Sequence, residues 1–201
     1  SELTESMDRV TMGPERKSRV ISEKDKLNTA YHEAGHAMLF FLLNDTDPVQ
    51  KITIVPRGMA GGYVLPLPDE DIFGRSREYF EDTICAALGG RAAEEIVFNR
   101  FTTGASNDLQ RVTSMARSMV TKYGFSEKLG PRTFGSDNGA VFLGREIGEQ
   151  RDYGEQAAED IDAEVRRILT HAYDRAKQIL SDNRDKMEVL VKALMERETL
   201  D

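Results

Sequence analysis

Two histidines and a glutamate stand in the order His32-Glu33-Ala34-Gly35-His36. On an α-helix, residues four apart lie on one face, so His32 and His36 can hold one metal ion between them. Glu33 points about a hundred degrees round the helix axis from His32. That puts it beside the metal, where a carboxylate can take a proton from activated water. The chain has 3 histidines in 201 residues, and two of them fall within this pentapeptide. A chance match on a helix leaves that concentration unexplained. The expectation is a catalytic zinc site.

A catalytic zinc takes three protein ligands and keeps one position open. The metzincin pattern needs Gly at 39 and His at 42, and Leu39 and Leu42 exclude it. His171 falls off the apolar stripe of its own helix and reads as a solvated surface residue. A carboxylate must then complete the set, and two clusters offer one. Glu94 and Glu95 follow Gly89-Gly90-Arg91-Ala92-Ala93, with one of the pair facing inward by helical phase. Asp108 follows Thr102-Thr103-Gly104-Ala105-Ser106-Asn107, where a glycine-containing turn opens a helix and can push a short carboxylate inward. The same aspartate could merely complement the helix dipole. The balance tips toward Asp108 without closing the choice.

The elements that must carry these residues are mainly helical. Asn28 or Thr29 can cap a helix whose apolar positions run through Ala30, Ala34, Ala37, Met38, Phe41 and Leu42, so the histidine pair sits on a largely buried helix. Alternation and β-branching predict a strand over 51–55, and Tyr63-Val64-Leu65 a second after Gly58, Gly61 and Gly62. A sheet edge beside a cleft could pair with an extended peptide, although a small structural hairpin fits the same residues. Residues 76–98 read as one helix, with Gly89-Gly90 in its middle implying another helix packed very close. Ser106-Asn107-Asp108 opens a helix that buries Leu109, Val112, Ala116 and Met119 and stops at Gly124. Residues 131–150 read as a mobile loop. A long amphipathic helix from about Tyr153 to Leu180 turns at Ser181-Asp182-Asn183 into another bearing Met187, Leu190, Val191 and Leu194, with the stripe as the internal core of the hairpin. The fold class is thus mainly α, with a small β-hairpin or sheet near the site and a C-terminal helical hairpin.

Composition narrows the partners. Net charge is −8 from 27 basic and 35 acidic residues, which argues against a nucleic-acid partner. With 39% hydrophobic and 31% charged residues the chain reads as globular. Cys85 is alone, so no intrachain disulfide can form, and it reads as a small buried residue. The apolar run from Ala37 to Leu43 is too short to span a bilayer, and no signal or transit segment is legible. Residues 1–26, broken by Gly13-Pro14, read as a linker from an upstream domain, and 27–201 as a zinc peptidase domain. Two other classes compete: a non-catalytic module using metal for assembly, and a zinc hydrolase acting on something other than peptides. The intact Glu33 speaks against the first, since a structural zinc needs no base.

Several stretches together carry a family resemblance. They are Met12-Gly13-Pro14-Glu15-Arg16-Lys17-Ser18-Arg19, Tyr31-His32-Glu33-Ala34-Gly35-His36, Gly89-Gly90-Arg91-Ala92-Ala93-Glu94-Glu95, Thr103-Gly104-Ala105-Ser106-Asn107-Asp108-Leu109 and Tyr123-Gly124-Phe125-Ser126-Glu127-Lys128-Leu129-Gly130. In this order the chain resembles the proteolytic domain of the FtsH-type AAA proteases, membrane-anchored ATP-dependent zinc metallopeptidases. The resemblance implies Zn2+ held by His32, His36 and Asp108, Glu33 as the base, and one of Glu94 or Glu95 supporting a ligand histidine. It further implies unfolded and membrane-protein substrates and a homo- or hetero-hexamer. ATP would serve only the family's ATPase module, which this sequence lacks, and membrane contact only its transmembrane segments, also lacking. The domain would face the bacterial cytoplasm or an organelle's matrix or stroma.

Overall fold

The computed structural model describes residues 22–57, 60–68, 74–135 and 153–201. Its organising element is α1 (Glu23–Leu42), in which every residue from Ala30 to Phe40 is buried. Ser22 caps it by accepting from the Asp25 N–H at 3.1 Å, and Glu23 and Asp25 place negative charge in the first turn. The helix therefore starts earlier than Asn28 or Thr29 would have it, because Ser22-x-x-Asp25 supplies the cap and residues 23–26 are good helix formers. Residues 22–26, read on sequence as the end of a linker, are the cap and first turn of α1. The rest of that linker lies outside the described residues.

Such thorough burial requires neighbours on all sides. Strands β1 (Val49–Thr53) and β2 (Tyr63–Pro66) form an antiparallel pair with an irregularity between Val49 and Lys51. A third strand, β3 (Thr199–Leu200), pairs antiparallel with β1 through Ile52 and Thr53, giving the order β2-β1-β3. Two residues are too few to show a period of two, so β3 left no signal in the sequence. The stretch expected to be one helix over 76–98 is two, α2 (Arg77–Ala87) and α3 (Gly89–Phe98), broken at Leu88. Then come a 3-10 turn (Thr103–Ala105) and α4 (Ser106–Thr121). Val112, Ala116 and Met119 of α4 are buried as expected, while Leu109 is 38% exposed. Past its end, Gly124 takes φ +65°, a conformation that favours glycine. Of the segment 131–150, residues 136–150 lie outside the described residues.

Helix α5 (Glu155–Asp182) turns at Asn183 into α6 (Arg184–Arg197), close to the expected hairpin. Its stripe does not form a hairpin interior, however. Helix α5 runs along α2, α3 and α4, α6 packs on α1, and the two hardly touch each other. At 1.5 Å per residue a helix of this length spans roughly 40 Å, enough to lie across the whole helical layer. Ile161, Val165, Ile168, Ala172, Ala176 and Leu180 close the core from that side, and Met187, Val191 and Leu194 from the other. Among the described residues no helix is long and apolar enough to cross a membrane.

The approach of α3 to α1 is the tightest contact in the layer. A Cβ on Gly35 would lie 2.3 Å from the Gly89 carbonyl oxygen, and one on Gly89 would lie 2.5 Å from that of Gly35. Backbone thus meets backbone at a place where no side chain fits. Gly35→Ala is expected to cost roughly 3 kcal/mol through forced separation of the helices, seen as a Tm lower by on the order of 10 °C. Gly74→Ala, where a Cβ meets nothing within 4 Å, should leave Tm unchanged.

Candidate metal centre

The α1–α3 contact sets the first feature of the site. The His32 ring lies flat against Gly90, where a Cβ would stand 2.5 Å from its Nε2. Removing that side chain lets the imidazole pass, and its Nδ1 reaches Glu94 Oε1 at 2.8 Å. Glu94 is only 1% exposed. Burial alone would raise its pKa, but hydrogen bonds from His32 and Thr102 pull it below the usual carboxylate range, so it stays ionised. An ionised carboxylate only accepts, hence His32 Nδ1 carries the hydrogen and its Nε2 points away with a lone pair. His36 is fixed in the same sense by different means. Its Nδ1 donates to the Ala86 carbonyl at 2.9 Å, next to the break between α2 and α3. A carbonyl cannot donate, so Nε2 of His36 also presents a lone pair.

These two nitrogens face each other at 3.1 Å. Asp108, in the first turn of α4, completes a triangle, its Oδ2 lying 3.3 Å from His32 Nε2 and 3.5 Å from His36 Nε2. Three electron-pair donors converging this closely repel one another unless positive charge sits among them. The edges match those of a tetrahedron about a zinc ion, about 3.3 Å for bonds of 2.0–2.1 Å. Burial opposes charge on His32, yet the hydrogen bonds it donates to Asp108 and Glu94 and the nearby Glu33 carboxylate push its pKa up to about 10. Burial would raise the Asp108 pKa, but the two histidines hold it far below its ordinary value. The donor set of two imidazole nitrogens and one carboxylate oxygen fits zinc.

Glu33 sits beside this triangle, 6% exposed, its pKa raised because burial outweighs the pull of His36 and His32. Its other neighbour is the backbone at the head of β2: a Cβ on Gly62 would be 3.0 Å from Glu33 Oε1 and 2.6 Å from the Thr53 carbonyl oxygen. Glu95, one residue from Glu94, faces elsewhere. It accepts from the Tyr173 hydroxyl at 2.5 Å and lies 3.8 Å from Lys177 Nζ. His171 is exposed on α5, and Cys85 is buried in α2 with its thiol pushed up to about 12 by burial. The structure therefore brings together His32, His36, Asp108, Glu33 and Glu94, and separates Glu95. Sequence reasoning missed the Ala86 carbonyl, Gly62 and Thr102. The first two are backbone contributions with no residue-type signal. Thr102 had one, a hydroxyl just ahead of a glycine-containing turn.

The family described as Peptidase family M41 matches residues 19–201. The chain belongs to peptidase family M41. It is 54% identical over 200 residues to "ATP-dependent zinc metalloprotease FtsH 1" of Sphaerobacter thermophilus, covering 100% of this chain and 31% of that protein. It is 51% identical over 201 residues to "ATP-dependent zinc metalloprotease FtsH" of Bacillus subtilis, covering 100% and 32%. Identity is 50% over 205 residues to "ATP-dependent zinc metalloprotease FtsH 3" of Synechocystis, covering 100% and 33%. The chain thus spans about a third of the length of these relatives. The mainly helical architecture with a small sheet agrees with the fold expected from sequence.

Because Glu94 and Glu95 differ so sharply in what they touch, the pair separates experimentally. Glu94→Gln is expected to weaken zinc binding about 10–100-fold by loosening His32. Glu95→Gln should leave zinc affinity unchanged, and both are read by titration against a competing chelator. Equal effects of the two would contradict the assignment of His32's partner.

Proposed function

We propose that His32, His36 and Asp108 hold the catalytic zinc and that Glu33 is the general base of peptide-bond hydrolysis. The observation that carries the proposal is the triangle of three lone-pair donors with Glu33 alongside. A zinc ion held by these three residues would supply Lewis acidity, polarising the scissile carbonyl and making water acidic enough to deprotonate near neutral pH. Glu33 takes that proton and returns it to the leaving amine. Glu94 and the Ala86 carbonyl keep each imidazole in the tautomer that leaves Nε2 free. Burial under the head of β2 keeps bulk water from the Glu33 carboxylate.

Substrate binding is proposed to use the β2 edge. Strand β1 lies between β2 and β3, so β2 is an edge strand of the described sheet. It starts at Tyr63, immediately after the glycine that touches Glu33. An extended peptide added there would run past the base, held by main-chain hydrogen bonds common to every protein. That suits an enzyme degrading many unrelated chains. For the whole protein we propose an upstream ATPase module joined through the stretch before α1, which feeds unfolded and membrane proteins to the site. We further propose a homo- or hetero-hexamer anchored in a membrane, with this domain on the cytoplasmic, matrix or stromal side. The support is the chain's identity to proteins about three times its length that are named as ATP-dependent.

Glu33→Gln keeps shape and removes the base, so cleavage of a denatured protein should disappear while the chain still binds about one zinc per molecule. Residual activity within tenfold of wild type would sink Glu33 as base; a chelator-insensitive wild-type cleavage would sink the metal mechanism. Proline lacks the N–H that strand pairing needs. A cleavage survey of denatured proteins should therefore show broad, mildly apolar preferences with few cuts near Pro. Indifference to Pro, or a strict demand for one side chain, counts against strand addition.

A further inference from the structure

We infer that Thr102 is a positioning residue that couples two zinc ligands, His32 and Asp108, through one hydroxyl. The inference rests on the zinc site proposed above. Thr102 lies between the end of α3 and the 3-10 turn, and its side chain is at the surface. Its N–H donates to Glu94 Oε2 at 2.8 Å, and its hydroxyl donates to Glu94 Oε1 at 3.0 Å. One residue thus grips both oxygens of the carboxylate, which fixes its rotation as well as its place. Oε1 is the atom that holds His32 Nδ1. Without the grip, Glu94 could turn and carry the imidazole with it.

The same hydroxyl oxygen accepts from the Gly104 N–H at 3.2 Å, capping the Thr103–Ala105 turn. That turn runs directly into α4, whose third residue is Asp108. The hydroxyl's single hydrogen goes to Glu94 and its lone pair to Gly104, so both bonds form at once. In one direction the contact runs through Glu94 to His32; in the other, through the turn to Asp108. His32 and Asp108 are far apart in sequence and come from different helices, and the distance between their ligand atoms must match a zinc ion to within a few tenths of an ångström. His36 is held separately by Ala86.

The test uses the purified chain and measures zinc Kd by competition with a chromophoric chelator, beside the Tm of the metal-free protein. Thr102→Val keeps the branched shape and the N–H and removes only the hydroxyl; Thr102→Ser keeps the hydroxyl. Thr102→Val is expected to weaken zinc binding about tenfold and Thr102→Ser to stay within about twofold of wild type. Adding Thr102→Val to Glu94→Gln should weaken binding further, because the Asp108 turn loses its cap as well. Wild-type affinity in Thr102→Val, a Thr102→Ser variant as weak as Thr102→Val, or a lower metal-free Tm without any change in Kd would each overturn the inference. A double variant no weaker than Glu94→Gln alone would also overturn it, since Thr102 would then act on His32 only. Asp108→Ala, run in parallel, tells this failure from failure of the site. If Asp108→Ala binds zinc as wild type does, the ligand assignment itself is wrong.

Discussion

The close approach of α1 and α3 is the constraint on which the rest depends. Gly35 and Gly89 let two helix backbones meet where a β-carbon would collide, and Gly90 leaves room for the His32 ring. Glycine in a helix costs about 1 kcal/mol per residue against alanine, and here it also breaks what would have been one helix at Leu88. Both costs have structural uses. The close contact brings Glu94 within reach of His32, and the break leaves the Ala86 carbonyl facing His36. Two of the three converging donors are therefore oriented by a single packing event between helices, before Asp108 enters.

Burial makes that orientation consequential. His32, His36, Glu33 and Glu94 are all below 10% exposed, in a layer otherwise filled by alanine, leucine and isoleucine. Unpaired charges in such a place cost several kcal/mol each, so each group needs a partner or a cation. Glu94 finds His32 and Thr102. His32, His36 and Asp108 lie against one another, Asp108 Oδ2 being 3.3 Å from His32 Nε2 and 3.5 Å from His36 Nε2. That arrangement of donors suits a divalent cation. Glu33 is the one buried carboxylate there whose pKa moves upward, and the difference follows from its neighbours: a sheet backbone on one side and histidines on the other.

How much of this could be seen in the sequence depended on whether a feature belongs to side-chain type or to backbone. The His32-Glu33-His36 spacing, the inward turn of one residue of the Glu94-Glu95 pair, and the apolar stripes of α4 and α5 are periodic, and periodicity survives in one dimension. Which glutamate turns inward does not, because adjacent residues on a short helix differ only by phase, and the break at Leu88 resets that phase. Helix α1 begins at Ser22 because a hydroxyl three residues before Asp25 outweighs the later candidates Asn28 and Thr29, which are already inside the helix. The strand at Thr199–Leu200 and the open arrangement of α5 and α6 follow from tertiary contacts that no local pattern records. Leu109 was assigned to the core by its spacing from Val112 and Ala116, yet it stands half out of the surface beside Asp108. In the first turn of α4, position is governed by the aspartate's approach to the histidines.

The sheet's placement completes the logic of the site. Helices alone could hold a metal, since all three triangle atoms come from α1 and α4. They could not present a peptide, because a helix has no free main-chain hydrogen bonds along its sides. A strand edge has them, and β2 is the strand whose first residue follows the glycine pressed against Glu33. Strand β1 is locked on its far side by β3, with Thr53 and Thr199 sharing a hydroxyl contact of 2.7 Å. That lock fixes the sheet to the end of α6 and, through the Ile54 N–H bonded to the Glu198 carbonyl at 2.9 Å, to the helical layer. A loose sheet would let the edge drift relative to the base, and a displacement of about 1 Å in a reacting pair can cost a hundredfold in rate. The small C-terminal strand, which no local pattern records, thus ties β1 and the sheet to the end of α6.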